Sequence, residues 1–219
     1  MHGSERQERQ CWRCGTGTGI GAGLVCPGCE APQPLPPGSD LFAVLGLRRQ
    51  LMLDGDDLEG RYHALSRALH PDRHQAADPR ARELSEVASA ALNRAYRTLR
   101  DPVARGRYWL ELHGNPLHVD NNEVPAALAA DVFETQERLG ELRTSPTPEL
   151  RDEVRRMRDA LAARLRVLKN DLSGLYAGWN GGGLLGELKR RLSEIAYLRT
   201  LLGDIESALG DVSGPDSRH

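Results

Sequence analysis

Lysine is almost missing from this chain: Lys169 and Lys189 are the only two, and arginine supplies nearly all of the positive charge. No excess of either sign results, since 29 basic residues face 31 acidic ones for a formal charge of −2. This balance argues against a broad electrostatic footprint for nucleic acid, although local patches remain open. Long apolar runs are missing as well; none approaches the ~20 residues that a membrane helix needs. The N-terminal MHGSERQERQ has no apolar signal core, and Glu5 and Glu8 are out of place in a transit peptide. The expected location is cytoplasmic, or the mitochondrial matrix for a eukaryotic chain with a trimmed transit segment. Cysteine is absent after Cys29, so the four cysteines within residues 11–29 point to a local site and not to a disulfide framework. Sustained β-alternation is absent too. What remains, 219 residues with 39% hydrophobic and 27% charged side chains, is a folded chain of one or two helical domains.

Five prolines or glycines in APQPLPPGSD make residues 31–40 a semi-rigid linker. Beyond it the chain reads as helix. Residues 41–46 form a short first helix. Asp56, with Glu59 three residues on, is placed to cap a second that carries Leu58, Tyr62, Leu65 and Leu69 on one face. A third starts near Pro79 with a stripe of Leu84, Val87, Ala88, Ala91, Leu92, Ala95, Tyr96 and Leu99. The second and third helices form an antiparallel pair joined by an exposed loop over residues 71–78. After Asp101-Pro102 comes RYWLELHG, and then a connection bracketed by Pro116 and Pro125. Three further helical segments follow over about 126–142, 148–177 and 184–209. The middle one repeats leucine and other apolar residues at spacings of three and four from Leu150 to Leu175, the pattern of a bundle helix. GWNGGG at 178–183 is the turn before the last helix, and residues 210–219 form a disordered tail.

Cys11-Trp-Arg-Cys14 and Cys26-Pro-Gly-Cys29 are two C-x-x-C pairs with eleven residues between them. Two knuckles of this kind deliver four thiolates to one tetrahedral shell, which suits Zn²⁺ with iron or a pair of disulfides as the alternatives. A shell closed by four protein ligands is structural. The GTGTGIGAG between the pairs matches neither a dinucleotide fingerprint nor a phosphate loop and reads as a hairpin tip. Only Arg13 is basic between the first and last cysteine, which disfavours a nucleic-acid role.

The stretch RALHPDRH at residues 67–74 ends the second helix. Taken alone, His70-Pro71-Asp72 is a helix stop followed by a turn, because proline cannot continue a helix and aspartate favours turns. Its setting between antiparallel helices, with Arg61, Arg67 and Arg73 on the outward side, resembles the J-domain, whose His-Pro-Asp loop stimulates the ATPase of DnaK-class chaperones. LNRAYRTLRDPVARGRYWLELHG at 92–114 is similar to the matching segment of the HscB family, the J-type co-chaperones of iron–sulfur cluster assembly. The agreement lies in Asn93, Ala95, Tyr96, Leu99, Pro102, Arg105, Tyr108, Leu110, Leu112 and Gly114. Gly106 stands where that family often has alanine and is expected to loosen the helix. The four-cysteine segment resembles the zinc module of eukaryotic and some bacterial members.

A second surface can be read within 126–142. Leu128, Val132, Leu139 and Leu142 fall in a stripe about 80° wide at about 100° per residue, so they face a core, while Phe133, Glu134, Glu137 and Glu141 lie outside it. Periodicity alone slightly favours Phe133 buried by a neighbouring helix over Phe133 as a docking residue. In the HscB family, however, this helix and a position on the last one bind the scaffold protein IscU. The resemblance implies that role for Ala129, Ala130, Phe133, Glu134, Glu137, Glu141 and Tyr197, with the two alanines smaller than the apolar residues expected there.

The expected architecture is mainly α. It comprises a zinc-ribbon-like module (1–30), a linker (31–40), a J-domain (41–114), a connection (115–125) and a C-terminal three-helix bundle (126–209). The resemblance implies a monomeric co-chaperone and not an enzyme. Its chaperone-binding residues would be His70, Pro71, Asp72, Arg61, Arg67 and Arg73, its scaffold partner IscU-type, and its metal Zn²⁺ on Cys11, Cys14, Cys26 and Cys29. Two other readings are a zinc-dependent nucleic-acid-binding protein with a helical accessory domain and a general J-protein for unfolded clients. Net charge and the acidic helix oppose the first. The second lacks a long Gly/Phe-rich segment or a β-rich client domain.

Overall fold

The computed structural model describes residues 10–17, 23–74, 78–117, 124–179 and 184–211. Most of the expected hairpin tip, most of the glycine turn before the last helix and nearly all of the expected tail lie outside the described residues. The chain divides into two compact units, residues 1–105 and 106–219.

In the first unit, isolated bridges pair Gln10 with Gly17 and Val25 with Pro32 and frame the two cysteine knuckles. Residues 31–33 close the second knuckle and are not free linker. Ala31 and Gln33 are buried, and the Gln33 N–H donates to Leu24 O at 2.8 Å. Helix α1, Leu41–Val44, starts at Asp40, whose carboxylate accepts from the Ala43 N–H at 2.7 Å. It is shorter than the expected 41–46 because Gly46 takes a left-handed φ of +65°, the usual way to end a helix.

Helix α2, Gly55–Ala68, is capped by Asp54 and not by Asp56. The Asp54 carboxylate accepts from the N–H groups of Asp56 and Asp57, and those two acids sit in the first turn, where the helix dipole favours them. After α2, the expected open loop contains one helical turn, α3, Pro71–His74. Helix α4, Pro79–Arg100, begins with Asp78 as its cap and proline in its first turn, where no amide is missed. Tyr62 donates to Asn93 Oδ1 at 2.9 Å and Ser85 to Leu69 O at 2.6 Å, a crossed order that makes α2 and α4 antiparallel. Phe42, Leu58, Leu69, Leu92, Ala95 and Leu99 form the buried interior. Val87, expected on the core stripe of α4, is 53% exposed; the stripe is narrower than its apolar residues suggest.

Helix α5, Pro102–Leu112, crosses the boundary between the units. In the second unit a 3-10 turn at Ala126–Leu128 leads into α6, Ala129–Thr144. Then come α7, Pro148–Ala177, capped by Thr147, and α8, Leu185–Asp211. Helix α7 packs along α8, and α6 touches both. Leu139, Leu142, Leu168, Leu172, Ile195 and Leu198 are buried in this unit. Arg164 ties the start of α6 to α7 through Asp131 and, at 2.8 Å, Ala127 O.

Gly106 is not a loosening defect. A Cβ at this position would fall against Tyr176 Oη and lie 3.1 Å from Leu192 Cδ1 and 3.3 Å from Leu188 Cδ1, so glycine makes room for a buried tyrosine. Alanine would favour the helix by about 1 kcal/mol, whereas overpacking costs about 1–3 kcal/mol. Gly106→Ala is therefore expected to lower the melting temperature, and to cost less when Tyr176→Phe has removed the hydroxyl. Circular-dichroism melts of the two single variants and the double variant check this. A raised melting temperature in Gly106→Ala would mean that propensity outweighs packing here.

Candidate metal centre and partner-binding surfaces

The two cysteine knuckles share one backbone design. Gly15 N–H donates to Cys11 O at 2.9 Å and Glu30 N–H to Cys26 O at 3.0 Å, so each C-x-x-C turn is closed by the residue after its second cysteine. The amides of Arg13 and Gly28 point at Cys11 Sγ and Cys26 Sγ, each at 3.3 Å. Gln33 Nε2 adds a donor to Cys11 Sγ at 3.2 Å, and Thr16 Oγ1 lies 3.2 Å from Cys14 Sγ. Such donors stabilise thiolates. A Cβ at Gly28 would come 2.9 Å from Thr16 Oγ1, so glycine there lets the knuckles approach.

All four sulfurs lie within 4.8 Å of one another, with Cys11–Cys29 at 3.7 Å and Cys14–Cys26 at 3.8 Å. None is disulfide-bonded. A tetrahedron with metal–sulfur bonds of about 2.3 Å has edges of about 3.8 Å, so the spacing fits a metal ion. Electrostatics agree. Burial pushes the Cys11 thiol up, but backbone amides and neighbouring sulfurs outweigh it and bring the group down to about 6. Against the lowering pull of the Ala31 backbone, burial and the other three sulfurs push Cys29 up to about 12. Four adjacent thiols cannot all ionise without a cation among them, and a divalent ion supplies that charge.

At the His-Pro-Asp turn, Leu69 closes α2 and its carbonyl accepts from both Ser85 Oγ at 2.6 Å and Ser89 Oγ at 3.2 Å. His74 is buried, with Nε2 3.0 Å from Ala68 O. His70, Asp72 and Arg73 are exposed in the single turn so anchored. The Asp72 N–H donates to His70 Nδ1 at 3.3 Å. The three arginines named from sequence have different settings. Arg61 grips Asp57 at 2.9 Å and donates to Gly46 O at 3.1 Å, Arg67 is exposed, and Arg73 pairs with Glu30 at 2.9 Å. This last pair, and the Arg80 guanidinium 4.9 Å from the Trp12 ring centre, join the cysteine module to the helical part of the same unit. Nothing in the spacing of residues 43 and 68 positions apart announces either contact.

In the second unit, Ala129, Ala130, Phe133, Glu134, Glu137 and Glu141 are all exposed on α6. They occupy a sector of about 140° at about 100° per residue, opposite the buried Leu128, Thr135, Leu139 and Leu142. Phe133 is 73% exposed, which overturns the slight preference for a buried ring. Val132 is half-buried at the edge of the stripe. Glu141 is partnered by Arg138 at 2.7 Å. Tyr197 lies half-buried on α8, which packs against α6.

Residues 40–108 match the DnaJ domain. The mouse (Mus musculus) iron–sulfur cluster co-chaperone protein HscB is 31% identical over 143 residues, covering 64% of this chain and 61% of that protein's length. A co-chaperone protein HscB homologue of Bordetella petrii is 36% identical over 133 residues, covering 58% of this chain and 78% of the relative. The crystal structure of human co-chaperone protein HscB superposes with a TM-score of 0.68 at 26% identity, covering 91% of this chain and 98% of that one.

For the cysteine cluster, the purified protein is expected to carry one metal ion per chain. Cys26→Ser should lose it, because three thiolates leave the shell open. Binding requires deprotonated ligands, so metal content should also fall as pH is lowered. Elemental analysis after dialysis at stepped pH reads both effects; full occupancy in Cys26→Ser would dismiss the site.

Proposed function

This chain belongs to the HscB family of iron–sulfur cluster co-chaperones, and from that premise we propose that it stimulates a DnaK/HscA-class chaperone ATPase and brings to it an IscU-type scaffold. The observation that carries this reading is a division of labour between the two compact units. One holds His70 and Asp72 exposed on a turn with buried anchors, and the other displays Phe133 among carboxylates on a solvent face. Each surface is chemically suited to a different partner.

In this reading the turn of α3 presents Asp72 to basic groups of the ATPase, while Arg67 and Arg73 meet acidic ones. Binding energy that favours one conformation of the partner shifts its population, and ATP bound to the partner supplies the free energy of the cycle. Neither His70 nor Asp72 has a serine or cysteine nucleophile beside it in sequence, so their role is contact and not chemistry. Helix α6 would hold the scaffold through Phe133, with Glu134 and Glu137 steering it and Tyr197 adding contact from α8. Ala129 and Ala130 offer little apolar area, which leaves Phe133 as the main anchor. The metal is inferred to be zinc, the ion that four thiolates in a closed tetrahedral shell suit, with a structural role.

Asp72→Ala is expected to abolish stimulation of the chaperone ATPase while leaving the helical circular-dichroism signal and scaffold binding intact, since truncating an exposed turn carboxylate costs little stability. Unaltered stimulation in single-turnover ATPase assays would remove the chaperone reading. For the second surface, Phe133→Ala should weaken scaffold binding by ~1–3 kcal/mol if the ring is an anchor. Calorimetric titration with IscU measures this, alongside a melt that should barely move because the ring is already in solvent. Unchanged affinity would mean that the docking face lies elsewhere.

A further inference from the structure

The two knuckles differ at one equivalent position. After the second cysteine, the chain must enter the left-handed region so that the next N–H can close the turn. The first knuckle does this with Gly15 at φ +73°, the residue that adopts this conformation without strain. The second does it with Glu30 at φ +56°, the only non-glycine residue at positive φ among the described residues. A long side chain is thus kept where glycine would serve the backbone better. Strain of this sort persists at positions where the side chain has a task.

The task is visible in where that side chain goes. Glu30 Oε2 lies 2.9 Å from an Arg73 guanidinium nitrogen, in the turn immediately after His70-Pro71-Asp72, with side-chain exposures of 72% and 51%. So exposed a pair adds little to stability. The Trp12–Arg80 contact brings the module to this place independently of it. An ion pair that is weak, wet and held by a strained residue is easily exchanged for another carboxylate.

We propose that Glu30 is a built-in occupant of Arg73, a positioning carboxylate which an acidic segment of the chaperone ATPase displaces when it docks on the His-Pro-Asp turn. The cysteine module is then more than a staple: it sets how readily the turn accepts its partner. This rests on the chaperone-docking reading above. Removing the carboxylate spares the partner the competition, so docking tightens, and the gain depends on Arg73.

The test measures dissociation constants of the full-length, metal-loaded protein for a DnaK-class chaperone. Glu30→Gln is expected to lower Kd by about two- to fivefold at low ionic strength, the range an exposed ion pair can carry, and the gain should fade near 1 M salt. In an Arg73→Gln background the same substitution should have no effect. Glu30→Gly, which matches Gly15, should tighten docking likewise and leave the melting temperature unchanged or higher. Unchanged or weaker docking by Glu30→Gln, or an equal gain without Arg73, overturns the proposal. A fall in both melting temperature and affinity in Glu30→Gly also overturns it, because Glu30 would then be a brace. Asp72→Ala run in parallel separates the two levels. If it abolishes ATPase stimulation while Glu30→Gln changes nothing, only this inference fails; if it leaves stimulation intact, the docking reading fails and this inference with it.

Discussion

The Leu69 carbonyl is the point on which the His-Pro-Asp turn depends. Proline at 71 has no N–H and cannot extend α2, so the last carbonyls of that helix lose their helical partners. Left unsatisfied, a buried carbonyl costs about 1–3 kcal/mol. Ser85 and Ser89, one turn apart on α4, both donate to Leu69 O, and Ser85 is fully buried as it does so. Because the helix stop is satisfied from the neighbouring helix, the chain can reverse sharply there, and His70 and Asp72 stand in solvent. The Tyr62–Asn93 bond and the stacked rings of Tyr62 and Tyr96, 4.1 Å apart, hold the same helix pair farther along.

The second unit solves a different problem. A helix that displays an aromatic ring and carboxylates outward needs a strong inward face to stay in place. Leu128, Leu139 and Leu142, each within 1% of full burial, supply it, and fully burying a leucine contributes about 1.5–3 kcal/mol. The outward face of α6 is then free of structural duty. Its side chains can be chosen for a partner, because changing them leaves the packing alone.

What could be read from the sequence was local. Cysteine spacing, Pro79 at the start of α4 and the leucine periodicity of α7 all act within a few residues. The helix signals stand where the structure has the corresponding elements, and the cysteine spacing brings the four sulfurs together. The choice of Asp54 over Asp56 as a cap was not legible, since both are acceptable cap residues and what decides is which of them takes the extended backbone, here Asp54 at φ −75° and ψ 123°. Gly106 looked like a weakness because its reason, Tyr176, lies 70 positions further on and meets it only in the folded unit. Residues 31–33 carry linker composition yet pair with the cysteine module, and Glu30 with Arg73 bridges 43 positions. Phe133 was ambiguous for the converse reason: periodicity places a ring outside one stripe but says nothing of whether another helix covers it.

The strengths of the contacts sort by purpose. Interactions that define the turn and the bundle are buried, such as Ser85 with Leu69 and Tyr176 beside Gly106, and losing any of them strains or empties an interior. Those at the two proposed surfaces, Arg73 with Glu30 and Arg138 with Glu141, are solvated and individually worth little. In the proposed reading, in which the protein binds and releases two partners, this separation serves both steps. Deep contacts hold the recognition elements in one geometry, so binding loses little to reorganisation, while shallow ones can be traded for a partner's groups at nearly equal free energy. Exchange between weak pairs keeps association reversible, and the rigid anchors beneath keep it specific.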